Sequence, residues 1–437
     1  MRTLIIVWLS QIVSIVGSNM TGFAFTIWVW ELTGQATSLA LFALFAQVPQ
    51  IFIIPIAGVI VDRWNRKYLM MVGDTVSGLL TITVLLLYIT HNLQLWHLYL
   101  AVGVKGTFQQ FQTLAFSASV SMMVPKEQYS RASSISFLAT SSSHIIAPAL
   151  AGALYAVIGL VGILIIDITT FAIALLTLLL VHIPQPTITK VGTHGSTNLK
   201  QDLYFGWRYV AVRPGLLAML LLVLLFVFAD QFGELLVTPL ILARTGNDTK
   251  ILGVIFSTAG LGGIIGALLV GVRGNFQPRI HAVLLGMVGA GLSQTVFGMG
   301  RVPLIWFPAQ LCSSLNFPIM GSAHDAIWLS KIKPELQGRV FAIRSMVMPI
   351  STALANLIAG PLADGVFEPA MKPNGTLAPV LGWIFGTGGG AGIALLYVIS
   401  SLCMLVIGLG GYAFRVLRDV EIILPDYDAD AERVVGD

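Results

Sequence analysis

Asp230 and Glu234 stand four residues apart in a largely apolar run, 215–243. On a helix that spacing puts both on one face. Two carboxylates sharing a low-dielectric site cannot both stay charged cheaply, so the pair is suited to holding and releasing a proton. Lys105, inside another apolar run, is a positive group able to neutralise one of them or to meet a substrate, and His144 is a further ionisable candidate. Ionisable residues at membrane depth are functional candidates by default. The plain alternatives are a structural ion pair for the charges and a hydrogen-bonded packing role for His144. Gln11, Asn19, Gln47, Gln109, Gln112 and Asn316 add amides within apolar runs, and Gln109 and Gln112 follow Lys105 by about a turn or two, as a polar rail would. With Trp28, Phe108, Phe226 and Phe232 interspersed, the lining suits a bulky amphiphile. The sequence contains no Gly-x-x-x-x-Gly-Lys-Ser/Thr phosphate loop, no metal-ligand cluster and no nucleophile–base motif. ATP, cofactors and metals are therefore not expected, an enzyme is not expected, and a proton gradient is the expected energy source.

Such groups need helices that hold them in hydrocarbon. Of the 437 residues 56% are hydrophobic and only 10% charged, where a soluble domain carries about 25% charged residues. Mean hydropathy is +0.87. Twelve runs approach the roughly 20 apolar residues a spanning helix needs: 4–31, 37–61, 68–90, 95–123, 132–158, 161–182, 215–243, 250–272, 279–299, 302–330, 340–364 and 389–414. The first is too long for a signal-peptide core and is expected to be retained. The expected fold is an all-α membrane protein of twelve transmembrane helices.

Of the 24 Lys and Arg residues, all but Arg244, Lys250, Arg301, Lys372 and mid-run Lys105 fall on one side of these runs. The positive-inside rule makes that side cytoplasmic, with both termini on it, in a multi-pass plasma (inner) membrane protein. The net charge of +4 is scattered through short connections, without the stripe that nucleic acid requires. Cys312 and Cys403 lie within apolar runs, so no disulfide framework is expected. The long cytoplasmic connection 183–214 separates residues 1–182 from 215–414, and a tail, 415–437, follows. Its second part, 199–212, is expected to be a short amphipathic helix on the membrane surface. The outer segment 365–388, rich in Gly and Pro, is expected to be a loop. A weak repeat at an offset of 208 sets Glu127, Arg131 and Ala151-Gly152 on Glu335, Arg339 and Ala359-Gly360. It pairs the fifth run with the eleventh, as two pseudo-symmetric six-helix bundles would.

Gly58, Asp62, Arg63, Arg66 and Lys67 lie between the second and third runs. Their charge keeps them out of hydrocarbon, so the stretch is expected to be a cytoplasmic loop. The pattern resembles the Gly-x-x-x-Asp-Arg-x-x-Arg-Lys signature of the major facilitator superfamily. Trp30-Glu31-Leu32-Thr33-Gly34, Val124–Arg131, Gly206-Trp-Arg-Tyr209 with Arg213-Pro214-Gly215, and Pro334–Arg339 extend the likeness over nearly the whole chain. Together they are similar to the branch holding macrolide efflux proteins and siderophore exporters. The resemblance implies a secondary transporter working by alternating access. It also implies a cytoplasmic latch in which Gly58 permits helix contact, Asp62 sits at a helix N-terminus near Arg339, and Arg63 and Arg66 meet Glu127 or Glu335. The plain alternative is that these cations only fix topology. The fifth run, with Pro148 and Gly152, is a degraded form of the antiporter Gly-Pro pattern and favours export. The antiporter arginine is absent from the fourth run, which has Lys105 there. Asp167 is read as structural, near the outer surface on a peripheral helix, and His324 and Asp325 as gate candidates at the cytoplasmic end of the tenth run.

The leading expectation is a proton-coupled exporter of a macrolide-like drug, siderophore or peptide metabolite, with one chain sufficing in the lipid bilayer. A nutrient importer or uniporter and a transport-inactive sensor remain alternatives.

Overall fold

In lipid each backbone N–H and C=O must find its partner within the chain, and the apolar runs resolve this as helices. The structure, a computed structural model, describes residues 2–123, 129–181, 199–273, 277–424 and 426. Among them there is no strand. The first half holds α1 (Arg2–Thr33), α2 (Ala36–Arg63), α3 (Arg66–Ile89), α4 (Leu95–Met123) and α5 (Tyr129–Leu180). Then follow α6 (Leu199–Ala211), α7 (Pro214–Thr245), α8 (Thr249–Arg273), α9 (Arg279–Met299) and α10 (Pro303–Lys331). The rest comprises α11 (Pro334–Ser345), α12 (Val347–Leu362), a π-helical turn Ala363–Phe367, α13 (Glu368–Met371), α14 (Ala378–Phe385), α15 (Ala391–Ala413), α16 (Arg415–Arg418) and α17 (Val420–Ile423). Nine stretches of described helix are long and apolar enough to cross a membrane. One of them, Ile145–Leu180, contains Gly159 at φ 62°, ψ −169°. That left-handed φ is open to glycine at little cost, and it divides α5 where the fifth and sixth runs meet. The 29-residue α4 and α10 are outside the nine.

Three expectations are corrected. The signature stretch is almost wholly helical. Arg63 ends α2 and Arg66 begins α3, leaving only Trp64 and Asn65 between them. Asn65 makes the sharp restart possible: its Oδ1 accepts from the N–H of Lys67 at 3.0 Å and of Tyr68 at 3.4 Å, an N-cap. Segment 365–388 is not a plain loop either, since it carries α13 and α14. Glu368 accepts from the N–H groups of Gly390 (2.7 Å), Gly392 (3.0 Å) and Ile393 (3.2 Å) at the start of α15. Arg301 donates to the terminal carbonyl of Trp383 in α14 at 3.1 Å. Finally, the eleventh run breaks at Met346 into α11 and α12.

The chain folds as two compact units, Met1–Ile188 with Thr238–Gly260, and Thr189–Val237 with Leu261–Asp437. In the first, α1 packs along α5, α2 on α4, and α3 on both α4 and α5. The C-terminal end of α7 and the first part of α8, Thr238–Gly260, belong to this unit. In the second, α9 lies between α10 and α15 over a core that includes Met219, Phe226, Met287, Trp328 and Met404. The expected short helix is α6, and it packs on α11. A Cβ at Gly206 would lie 2.4 Å from the Arg339 carbonyl oxygen, so only glycine permits this contact.

Candidate functional site

In the second unit, Asp230 and Glu234 occupy the middle of α7. Gln294, on α9, donates to Asp230 Oδ1 at 3.0 Å. The neighbouring Gln231 accepts from Thr352 Oγ1 of α12 at 3.0 Å, and Tyr397 of α15 is fully buried close by. Glu234 is exposed. Among the described residues no cation pairs with either carboxylate. Gln294 Oε1 is buried without a hydrogen-bond partner, which leaves an open acceptor beside Asp230. Gln294 and Gln231 were missed from the sequence, although each is an amide inside an apolar run and carried the same signal as those singled out.

Lys105 finds its carboxylate in its own unit. Its Nζ lies 3.8 Å from Asp167 Oδ2, a partner different from the Asp230–Glu234 pair expected from the sequence. Asp167 also accepts from Ser18 Oγ at 3.1 Å and Thr81 Oγ1 at 3.0 Å. It is 2% exposed, so it is not on the unit's periphery. Rotation of the α5 helix about its axis, invisible in the sequence, turns it inward.

A second buried carboxylate of this unit, Asp74 on α3, was not anticipated. Gln11 Nε2 donates to Asp74 Oδ2 at 3.1 Å, and Gln112 Nε2 reaches both Gln11 Oε1 at 3.1 Å and Asp74 Oδ1. Gln11 and Gln112, expected as cavity lining, are thus buried and bound to Asp74. A lone Asp in the third apolar run was the available signal. Asn19 donates to Ser143 Oγ at 2.7 Å, while Gln47 and Gln109 are half-buried. In the second unit Asn316 donates to the Cys312 carbonyl of its own helix at 2.7 Å.

At the C-terminal end of α5, Lys67 Nζ donates to the carbonyls of Leu179 at 3.1 Å and Val181 at 2.8 Å. A cation is well placed at those helix-terminal carbonyls. Arg66 is half-buried in the first turn of α3, and Arg339 lies 5.3 Å from the Phe205 ring of α6. Asp325 pairs with Arg344 of α11, and His324 Nε2 accepts from Trp328 Nε1 at 2.9 Å. Glu127 lies outside the described residues. Gly58, Asp62, Arg63, Arg131, His144 and Glu335 are in helices, but their side chains lie outside the described set.

A tight seam between α5 and α8 was also unforeseen. Thr249 Oγ1 donates to the Gly152 carbonyl at 2.9 Å, and Ser257 Oγ to the Ile145 carbonyl at 2.7 Å. Beside them Trp30 Nε1 donates to Asn247 Oδ1 at 3.0 Å, and Phe23 meets Phe256 edge to face at 5.7 Å.

Apolar helices in two units, each with a carboxylate held within its spans, define a multi-pass membrane transporter. Residues 7–356 match the Major Facilitator Superfamily, and the chain belongs to that family, one of transporters and not of enzymes. It is 28% identical over 366 residues to macrolide efflux protein A of Streptococcus pyogenes, covering 82% of this chain and 89% of that protein. It is 22% identical over 360 residues to the multidrug efflux pump Tap of Mycolicibacterium fortuitum, covering 80% and 86%. The enterobactin exporter EntS of Shigella flexneri is 24% identical over 313 residues, with 71% and 72% covered. The crystal structure of the nucleoside transporter NupG (D323A mutant) aligns with a TM-score of 0.71 at 11% identity, covering 93% of this chain and 99% of that one. That likeness establishes the shared fold.

Proposed function

We propose that the protein is a proton-coupled exporter of bulky amphiphiles, working by alternating access in the plasma (inner) membrane with both termini cytoplasmic. The observation that carries this reading is the Asp230–Glu234 pair. Two carboxylates stand one turn apart in a membrane-spanning helix, Asp230 bonded to the Gln294 amide, with no described cation to balance either. An uncompensated carboxylate in such a place is costly, so a proton or a cationic group of the substrate must accompany it during part of the cycle. Exchange of one for the other is antiport. The relatives that export macrolides, other drugs and enterobactin support outward transport of large amphiphiles. Gln109 and Gln47, half-buried in the first unit, are polar groups suited to such a substrate, and one chain suffices.

The test is efflux from proteoliposomes with an imposed pH gradient, scanned across macrolides and other amphiphiles. Gradient-driven movement of at least one compound is expected. Transport indifferent to the gradient would remove the coupling, and transport only of small nutrients would reverse the assignment.

A further inference from the structure

The first unit buries two carboxylates in different company. Asp167 has Lys105 at 3.8 Å and two hydroxyl donors. Asp74 is 3% exposed and, among the described residues, is hydrogen-bonded only by the amides of Gln11 and Gln112. Among the described side chains, the charged and titratable groups of the helices around it lie elsewhere. On α3 itself, Arg66, Lys67 and Tyr68 are about two turns towards the cytoplasmic end, Tyr88 is near the other end, and Lys67 is bound to the end of α5. On α1 there are only Arg2 and Glu31, at its two ends. On α4, Lys105 is seven residues from Gln112 and committed to Asp167, and His97 and Tyr99 lie farther along. On α5 the groups are Tyr129, Arg131, His144, Tyr155 and Asp167. Among the described residues no ion pair reaches Asp74.

The surroundings of Asp74 are also continuous with those of Asp167. On α1, Gln11, Ser14 and Ser18 recur at intervals of three and four, and on α3 Asp74, Ser77 and Thr81 do the same. Each series is therefore one helical face. The first member of each meets at Asp74 and the last at Asp167. Ser77 Oγ, between them on α3, is buried with no hydrogen-bond partner. The result is a polar seam about 10 Å long at 1.5 Å per residue, with a cation, among the described residues, at the Asp167 end only.

We propose that Asp74, cradled by Gln11 and Gln112, is a proton-binding site of the first unit, separate from Asp230 and Glu234. Uptake forms one O–H bond on a carboxylate oxygen of Asp74 with a proton delivered by water or along the seam, and release returns that proton by the same route. No other bond changes. The amides suit both forms, because a glutamine side chain offers N–H donors to a carboxylate and a carbonyl acceptor to a carboxylic acid. The site's use in transport rests on the proton-coupling reading above, whereas its existence does not.

The test is infrared difference spectroscopy of the purified full-length protein taken from acid to alkaline pH, following the C=O stretch of protonated carboxylic acids. A titrating band is expected in wild type and in the Asp230→Asn, Glu234→Gln double variant, and its loss is expected in Asp74→Asn. A band set in Asp74→Asn identical to wild type overturns the site. Should Asp74→Asn fold poorly, Gln112→Glu answers the same question, since a second carboxylate would share the proton and move the band's midpoint to higher pH. An unmoved midpoint overturns the proposal. The two readings fail separately: wild-type vesicles without gradient-driven macrolide movement overturn the coupling, while an Asp74 that never titrates overturns this site.

Discussion

Gly253 offers the sharpest perturbation of the α5–α8 seam. A Cβ added there would stand 2.5 Å from the Pro148 carbonyl oxygen and 3.2 Å from Gly152 Cα. Both obstacles are backbone, so no side chain can swing away, and Gly253→Ala must push the helices apart by about 1 Å to restore ordinary contact. That strains the bonds from Thr249 to Gly152 at 2.9 Å and from Ser257 to Ile145 at 2.7 Å. Overpacking of this kind costs about 1–3 kcal/mol, and each neutral hydrogen bond contributes about 1 kcal/mol. A net loss of about 2 kcal/mol favours conformations with α5 and α8 parted by roughly 30-fold. The assay is labelling of Ser257→Cys by a membrane-impermeant maleimide in detergent-solubilised protein, after Cys312 and Cys403 are replaced by serine. Gly253→Ala should raise the labelling rate by roughly 30-fold. Gly263→Ala is the control on the same helix, because its Cβ would meet nothing within 4 Å. Unchanged labelling in Gly253→Ala, or an equal rise in Gly263→Ala, refutes the reasoning.

The Asp230–Glu234 pair, the Glu368 cap and the Asp426–Lys331 contact give the remaining predictions. Asp230→Asn, which keeps a hydrogen bond to Gln294, and Glu234→Gln should each lower gradient-driven efflux by roughly tenfold or more, and full activity in both would remove protons from this pair. Glu368→Ala strips three N–H groups at the start of α15 of their acceptor and should lower stability by about 1–2 kcal/mol, read as a fall in melting temperature in detergent. Asp426 is bonded to Lys331 at 2.8 Å, and the Lys331 ammonium holds its carboxyl below the usual carboxylate range. Because the folded value is the lower one, this contact stabilises the tail above the ordinary carboxylate pH of about 4 and is lost as pH falls through the folded value. Proteolysis of the tail should therefore accelerate on acidification, and Lys331→Met should abolish that dependence.

Much of the site vocabulary was legible in the sequence, and little of its grammar. Asp230 and Glu234 declare a shared face through their spacing alone, and the amphipathic pattern of 199–212 locates α6 to within a residue. The signature charges mark a helix boundary, but Asn65, a strong cap, shortens the expected loop to two residues. Glu368 was invisible as a cap because its partners, Gly390 to Ile393, lie more than twenty positions away. Asp74 was overlooked and Asp167 misplaced for one reason: a residue's depth along a helix can be counted, whereas the direction it faces depends on what the helix packs against.

By itself, then, the sequence determined that the chain is a membrane protein, that its apolar runs are helices and which family it belongs to. Those properties follow from hydropathy, charge and short motifs, and they add up residue by residue. Only the tertiary structure decided that Lys105 belongs to Asp167, that Gln11 and Gln112 close around Asp74, and that Gly152 and Gly253 bring α5 and α8 into backbone contact. Each of those is set by the rotation of one helix against another, a quantity that ridges, glycines and buried hydrogen bonds fix together.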